Sequence, residues 1–356
     1  MSRRPVDEKN ILLWPPFEAE WWFLALRMDM DDGDTIHAML LIFKQSKYRH
    51  DDSAQRFFSH LFRKPLVHGF LSLIDEGRKT YTWQKITSLQ TAFRGDLQKK
   101  CDATFQFDRW SCNARADGTF AFVLKEQDMH IEFDGSPAGS QYKFHGPLDG
   151  YSHDTTLEIV SPYLRGQVRF VDTNGAVLRS GIGGALYEQG WSLLSPRNFA
   201  MLDFFWAYFL LSDGSRFLFG NAPFRYLADA DGVFIDARGA VHNISFNDMR
   251  WEPKAFYTNK KLKYTYPTSW ECAVEKIGLH ATITAVFPQQ EIDSSGVFFI
   301  QLFSGVAEFR GTIHGAEITG NAYIYMIMPQ RFSTRVLLRI GDILFTVRAF
   351  LKRVFQ

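Results

Sequence analysis

Apolar and polar residues change places in short runs along this chain, and turn-forming residues separate the runs at roughly even spacing. Glu20-Trp-Trp-Phe-Leu-Ala-Leu-Arg-Met-Asp-Met30 reads as a strand, Asp31-Asp32-Gly33-Asp34 as a turn, and Thr35 to Lys44 as the returning strand. Further strand-like runs occupy Val67–Ile74, Thr80–Ile86, Ala103–Phe107, Trp110–Arg115, Thr119–Leu124 and Met129–Phe133. Past Gly150 the pattern resumes with Thr155–Ser161, Gly166–Val171, a turn at Asp172-Thr-Asn-Gly175, and Ala176–Gly181. Phe204–Leu211, Ser212-Asp213-Gly214 and Arg216–Phe219 make another hairpin. Residues 1–19, with Pro5, Pro15 and Pro16, read as irregular, and the polar residues 50–65 as a loop with a helical turn. None of these runs sustains helical periodicity, so the pattern predicts an all-β barrel or sandwich.

The order of features repeats. A hairpin, a Trp-x-Cys strand (Trp110-Ser-Cys112) and a three-glycine segment (Gly166, Gly175, Gly181) recur as a hairpin, Trp270-Glu-Cys272 and Gly305, Gly315, Gly320. This order predicts an internal duplication into two tandem β-barrel-like domains, 20–197 and 198–328, with the boundary at Ser195-Pro196-Arg197-Asn198. Residues 329–356 break the pattern. From Arg331 to Gln356, Val336, Leu337, Ile340, Ile343, Leu344, Val347, Leu351, Val354 and Phe355 share one side of a helical wheel. Six basic residues against Asp342 give this segment a net +5. Such a helix either closes a barrel with its basic side solvated or lies on an anionic membrane surface.

Composition narrows the functional classes. A net charge of +1 gives no electrostatic reason to expect nucleic acid as a partner. Three cysteines, Cys101, Cys112 and Cys272, with no Cys-x-x-Cys pair, argue against a disulfide framework or a structural zinc site, and no metal ligands are assigned. The first residues lack the apolar core of a secretory signal. The longest apolar stretch, Phe199 to Leu211, is 13 residues and contains Asp203, too short to span a bilayer. A soluble or surface-bound cytoplasmic protein is expected. The 34 Phe, 13 Tyr and 9 Trp exceed what sheet cores require and suit the walls of a site for an apolar ligand.

One stretch carries the candidate chemistry. Gly184-Ala-Leu-Tyr187-Glu188-Gln189-Gly190-Trp191-Ser192 places a single carboxylate between two aromatic residues. Either Glu188 points into solvent at a strand end, or the rings strip its hydration, favour the neutral acid and make it a proton donor.

These residues resemble a known family. Glu20-Trp21-Trp22-Phe23 is similar to the Glu-Trp-Trp-Tyr signature of the carotenoid 1,2-hydratase (hydroxyneurosporene synthase) and AttH-like two-domain, lipocalin-like family. Tyr151-Ser152, Ser161…Gly166-Gln-Val168…Gly175…Ser180-Gly181 and Tyr187-Glu-Gln-Gly-Trp191-Ser resemble the family's segment ending in an Asp-His-x-Trp-Gly-like motif. Ser212-Asp213-Gly214, Tyr266-Pro267…Trp270 and Ser304-Gly305…Gly315…Gly320-Asn-Ala-Tyr323 continue the likeness, which spans roughly residues 18–328. The resemblance implies two lipocalin-like β-barrel domains and cofactor-free, non-redox chemistry on a polyene or isoprenoid. It places Glu188 where the hydratases carry the acidic Asp. Gln189 replaces the following His and Ser192 the final Gly, which favours cyclisation or isomerisation relative to hydration.

The expected mechanism is acid-catalysed lyase or isomerase chemistry with Glu188 as donor and Tyr187 hydrogen-bonding it, and His153 and Asp203 as weaker polar candidates. Trp21, Trp22, Trp191, Trp206 and Tyr208, with Glu20, are expected to line the site and steady a cation through their ring quadrupoles. The rival readings are a pericyclase that shapes a polyene and a lipid carrier without chemistry. A hydrolase ranks below both, since no Gly-x-Ser-x-Gly elbow occurs.

Overall fold

The structure is a computed structural model and describes residues 19–45, 66–88, 103–107, 109–115, 119–125, 129–138, 142–147, 156–161, 163–192, 205–221, 232–245, 248–260, 264–293 and 301–327. Among them the first sheet has twelve strands. These are β1 (Ala19–Met30), β2 (Thr35–Gln45), β3 (Leu66–Asp75), β4 (Thr80–Ser88), β5 (Ala103–Phe107) and β6 (Trp110–Ala114). They continue with β7 (Phe120–Lys125), β8 (Met129–Pro137), β9 (Tyr142–Pro147), β10 (Thr156–Ser161), β11 (Tyr163–Asp172) and β12 (Val177–Ser192). The second sheet takes β13 (Phe205–Leu211), β14 (Arg216–Asn221), β15 (Gly232–Ile235), β16 (Val241–Ile244) and β17 (Met249–Asn259). It ends with β18 (Tyr264–Val274), β19 (Leu279–Ala285), β20 (Glu291–Asp293), β21 (Gln301–Ile313) and β22 (Ala316–Ile327).

The main path of the first sheet runs β4-β3-β2-β1-β12-β11-β8-β7-β6-β5, and that of the second β16-β15-β14-β13-β22-β21-β19-β18-β17. Each curls into a half-barrel, giving two tandem lipocalin-like domains that are nearly all-β among the described residues. The expected boundary residues, 195–198, and the expected tail helix lie outside the described residues.

The two paths correspond strand for strand around their central hairpins. Gly181 lies against the penultimate residue of β1 and Gly320 against that of β13; a β carbon would fall 2.3 Å from the Asp29 carbonyl oxygen in one and 2.2 Å from that of Leu210 in the other. Only glycine permits such backbone approach. Gly175 and Gly315 both occupy hairpin turns at positive φ, +87° and +81°.

Two features of the predicted repeat do not superpose. Gly181 pairs with Val168 and Gly320 with Phe309, so the residue matching Gly166 is Ala307, not Gly305. The two Trp-x-Cys strands are each second from a sheet end, yet β6 lies one strand further from its glycine hairpin than β18 does. Buried Trp and Cys thus recur because both half-barrels need bulk on their inner faces, where Trp110, Cys112, Trp270 and Cys272 are all buried. Cys112 and Cys272 are free thiols, and burial pushes the Cys272 thiol up to about 12.

Strand alternation divides the central strands between two environments. Trp22, Leu24, Leu26 and Met28 of β1 enter the first half-barrel with Trp110, Phe122, Phe133 and Tyr187. The intervening Phe23 and Ala25 leave by the opposite face. There they meet Met39, Ile74 and Leu186 from their own sheet and Tyr208, Leu218, Val233, Val306, Tyr323 and Tyr325 from the second. A strand buried on both faces has no use for a polar alternate, which explains the near-continuous apolar run in β1 and in Phe205-Trp-Ala-Tyr-Phe-Leu-Leu211 of β13. The half-barrels pack through these outer faces.

Phe23, 3% exposed, fixes that junction by stacking on Tyr208 at 5.1 Å and meeting Tyr325 edge-on at 4.9 Å. Phe23→Ala is expected to cost about 3–5 kcal/mol in denaturant unfolding. A loss below about 1 kcal/mol would show that the two sheets do not depend on this contact.

Candidate functional site

Glu188 lies within β12, opposite Phe23 of β1 in the antiparallel register. It is 2% exposed, so the solvent-facing reading of this carboxylate does not hold. Its burial follows from the strand period: Leu186 and Glu188 share the outer face of the sheet, and that face is covered by the second half-barrel. The indole of Trp206 in β13 donates its Nε1–H to Glu188 Oε2 across the junction, at 3.2 Å.

Trp206 owes its position to a glycine. Gly220 of β14 pairs with it, and a β carbon there would fall 2.0 Å from two atoms of the indole ring. The ring lies over the space a side chain would fill. Beside it stands Tyr208, edge-on at 6.1 Å, and Tyr208 in turn stacks on Phe23. The site is therefore assembled from both sheets: the carboxyl from β12, one ring from β1, and the indole and phenol from β13.

The expected partnership of Tyr187 with Glu188 is corrected by the same alternation. Adjacent strand residues point to opposite faces, so Tyr187 enters the first half-barrel and packs on Phe120 and Phe122, each at 5.7 Å. Trp22 shares that interior and also lies across the sheet from Glu188. Trp21 pairs with Gly190 and Glu20 with Trp191 in the backbone register; the side chains of Glu20, Trp21 and Trp191 lie outside the description. His153 and Asp203 lie outside the described residues altogether. Of the predicted set, the described side chains brought together are Glu188, Trp206 and Tyr208.

A second polar group at this junction escaped the sequence reading. Four residues along the strands from the Phe23–Glu188 pair, Arg27 pairs with Gly184 and His37. His37 is fully buried, with Nε2 2.8 Å from Glu76 Oε1 and Nδ1 3.2 Å from the Tyr323 hydroxyl. A carboxylate only accepts, so Nε2 carries the proton toward Glu76, and in the neutral imidazole Nδ1 accepts the phenol's hydrogen. Arg27 donates to the Asn321 side-chain oxygen and to Asp29. Two of these bonds, Arg27–Asn321 and His37–Tyr323, cross between the sheets. At about 3.3 Å per residue this group is roughly 13 Å along the strands from Glu188. No local pattern joins its members, because they are scattered from 27 to 323 along the chain.

A row of hydroxyls crosses the same junction. Ser72 Oγ lies 3.2 Å from Ser304 Oγ, and the Tyr81 hydroxyl donates to the Ser304 carbonyl at 3.3 Å. Burial raises the Tyr81 phenol well above its ordinary value, with Tyr325 adding to the effect. Among the described residues no group of three or more His, Cys, Asp or Glu is arranged to hold a metal ion, and no helix is long and apolar enough to cross a membrane.

The His37 hydrogen bond holds the Glu76 carboxyl below its ordinary value of 4.5. A carboxyl depressed by folding stabilises the protein above its unfolded pKa, and that contribution is lost as pH falls through the folded value. Glu76→Gln is expected to lower the denaturant midpoint at pH 7. The gap from the parent protein should close as both are acidified below the carboxylate range. An unchanged midpoint at pH 7 would remove Glu76 from the junction's stability.

A family model described as AttH-like matches residues 9–327. A crystal structure from Nitrosomonas europaea assigned as AttH has a TM-score of 0.65 at 16% identity, covering 91% of this chain and 99% of that one. Kievitone hydratase from Nectria haematococca has a TM-score of 0.61 at 11% identity, covering 92% of this chain and 94% of that one. At these identities the two structures speak to the fold. No curated protein matches the chain.

Proposed function

This chain belongs to the AttH-like family, and we propose that it is a cofactor-free hydratase of a hydrophobic, double-bonded substrate, with Glu188 as proton donor. The observation that carries this reading is the buried Glu188 carboxyl, oriented by the Trp206 indole of the other half-barrel and set among aromatic rings. The name of the similarly folded kievitone hydratase supplies the reaction type, and the resemblance to carotenoid 1,2-hydratases suggests an isoprenoid or polyene.

In the proposed step the Glu188 proton passes to one carbon of a terminal double bond, whose π electrons form the new C–H bond. A water lone pair then closes on the resulting cation and the water's spare proton returns to the Glu188 carboxylate. Desolvation favours the neutral carboxylic acid required at the start. The cation would be steadied by the rings of Trp206 and Tyr208, at roughly 0.5–2 kcal/mol each. Positioned general acids contribute about 10²–10⁴-fold.

Gln189 favours a second reading. Standing where the related motif has His, it cannot act as a base, and a cation not met by water would lose a proton to the Glu188 carboxylate and leave as an isomerised or cyclised alkene. Product masses separate the two, since hydration adds 18 Da to the substrate and isomerisation adds nothing.

Glu188→Gln keeps volume and hydrogen-bonding capacity but has no acidic proton. It is expected to lower turnover of isoprenoid alkenes by at least about 10²-fold. Full turnover in this variant would assign catalysis to substrate shape, as in a pericyclase, and recovery of unchanged lipid from active preparations would indicate a carrier. Gly220→Val, which crowds the indole, is expected to reduce turnover while Glu188 stays in place. A variant as active as the parent would discount the Trp206 contact.

A further inference from the structure

We infer that the junction beside Glu188 holds ordered water, bound by the hydroxyls of Tyr208 and Tyr325, and that this is the water added to the substrate. The site stands on its own geometry; its role as nucleophile rests on the hydratase reading.

Among the described residues, two buried phenols here have no hydrogen-bond partner. Tyr208 and Tyr325 are 2% and 5% exposed, their oxygens are shielded from solvent, and neither meets a protein donor or acceptor in hydrogen-bonding geometry. Tyr325 comes near Ser304, which tempers the rise that burial imposes on its phenol, without completing a bond. Leaving a buried hydroxyl unmet is costly, and such groups are normally satisfied by protein or by an enclosed water.

Their placement points to one shared locality. Tyr208 is on β13 and Tyr325 on the neighbouring β22, where Tyr325 pairs with Trp206. Both rings pack on Phe23, the residue opposite Glu188, and Trp206 joins the group by its bond to that carboxyl. On the Tyr325 side the row continues through Ser304, Ser72 and Tyr81. Hydroxyls from β3, β4, β13, β21 and β22 thus line a junction that is otherwise aromatic and aliphatic. A water needs two to four polar partners to remain in such surroundings, and this row offers them.

Water held at this place also bears on the outcome of catalysis. A cation formed at Glu188 either meets a nucleophile already in place or loses a proton. Water fixed at Tyr208 and Tyr325 would favour capture: its lone pair forms the C–O bond, its proton goes to the Glu188 carboxylate, and no oxidant or reductant takes part. That places on two tyrosines the water-positioning task for which Gln189 is unsuited.

The test uses the full chain and the variants Tyr208→Phe, Tyr325→Phe and the double variant, which remove hydroxyls while keeping the rings. A crystal structure of the parent should show ordered oxygen within hydrogen-bonding distance of both hydroxyls, and the double variant should gain no thermal stability. A dry junction, or a Tm raised by about 2 °C or more in the double variant, would overturn the site, because removing truly unmet hydroxyls relieves the protein. With a terminally unsaturated isoprenoid alcohol as probe in ¹⁸O-water, the ratio of ¹⁸O-labelled to unhydrated product should fall about tenfold in the double variant. An unchanged ratio would overturn the role as nucleophile. Full activity of Glu188→Gln would instead defeat the hydratase reading and leave the crystallographic and thermal results to decide the water site.

Discussion

The packing of two sheets through the outer faces of their central strands is the constraint on which the rest of this protein depends. A half-barrel ordinarily buries one face and wets the other. Here β1, β12, β13 and β22 each give residues to a domain core on one face and to the junction on the other, while the hairpin ends of β12 and β22 reach solvent. Phe23 and Ala25 serve the junction while Trp22 and Leu24 serve the first core, and a single-residue slip in register would exchange the two sets. That sensitivity pins the register and holds Glu188 at the junction.

Burying polar groups at such a junction is tolerated only when they are met. Three solutions coexist within a few strands. Glu188 is met by an indole from the opposite sheet, His37 by a carboxylate on one side and a phenol on the other, and Gln290 by the backbone of Phe287 and Val306. The His37 and Arg27 group is largely closed on itself, which suits a clamp between sheets. Glu188 and the neighbouring phenols, set among rings at the other end, suit chemistry. Buried polarity is thus divided between a group that ties the two sheets together and the carboxyl of the candidate site.

The two-part architecture shapes the candidate site. Glu188 lies seven residues past Gly181, and the residue seven past Gly320 is Ile327. The second half-barrel therefore contributes no acid at the matching place; it contributes Trp206 and the tyrosines that surround the first one's carboxyl. Neither half would build the site alone. A duplicated fold can diverge in this way because the hydrophobic inner faces preserve each barrel, while the junction side chains are free to specialise.

Much of the fold was legible in the sequence. The strands of the first half, the hairpins, the all-β class and the two-part organisation follow from period-two patterning and turn chemistry, which are local. The candidacy of Glu188 also came from local context, one carboxylate among aromatic residues. Which face each residue takes is not local when both faces are apolar, since Trp22 and Phe23, or Tyr187 and Glu188, look equally suited to a core. Only the packing of one sheet on the other decided that Tyr187 belongs inside the first half-barrel and Glu188 between the two. The same packing brought Trp206, Tyr325 and the His37 group to the junction from positions up to hundreds of residues apart. Sequence by itself determined the strands and the acid; tertiary structure decided the acid's surroundings, because those surroundings come from the other half of the chain.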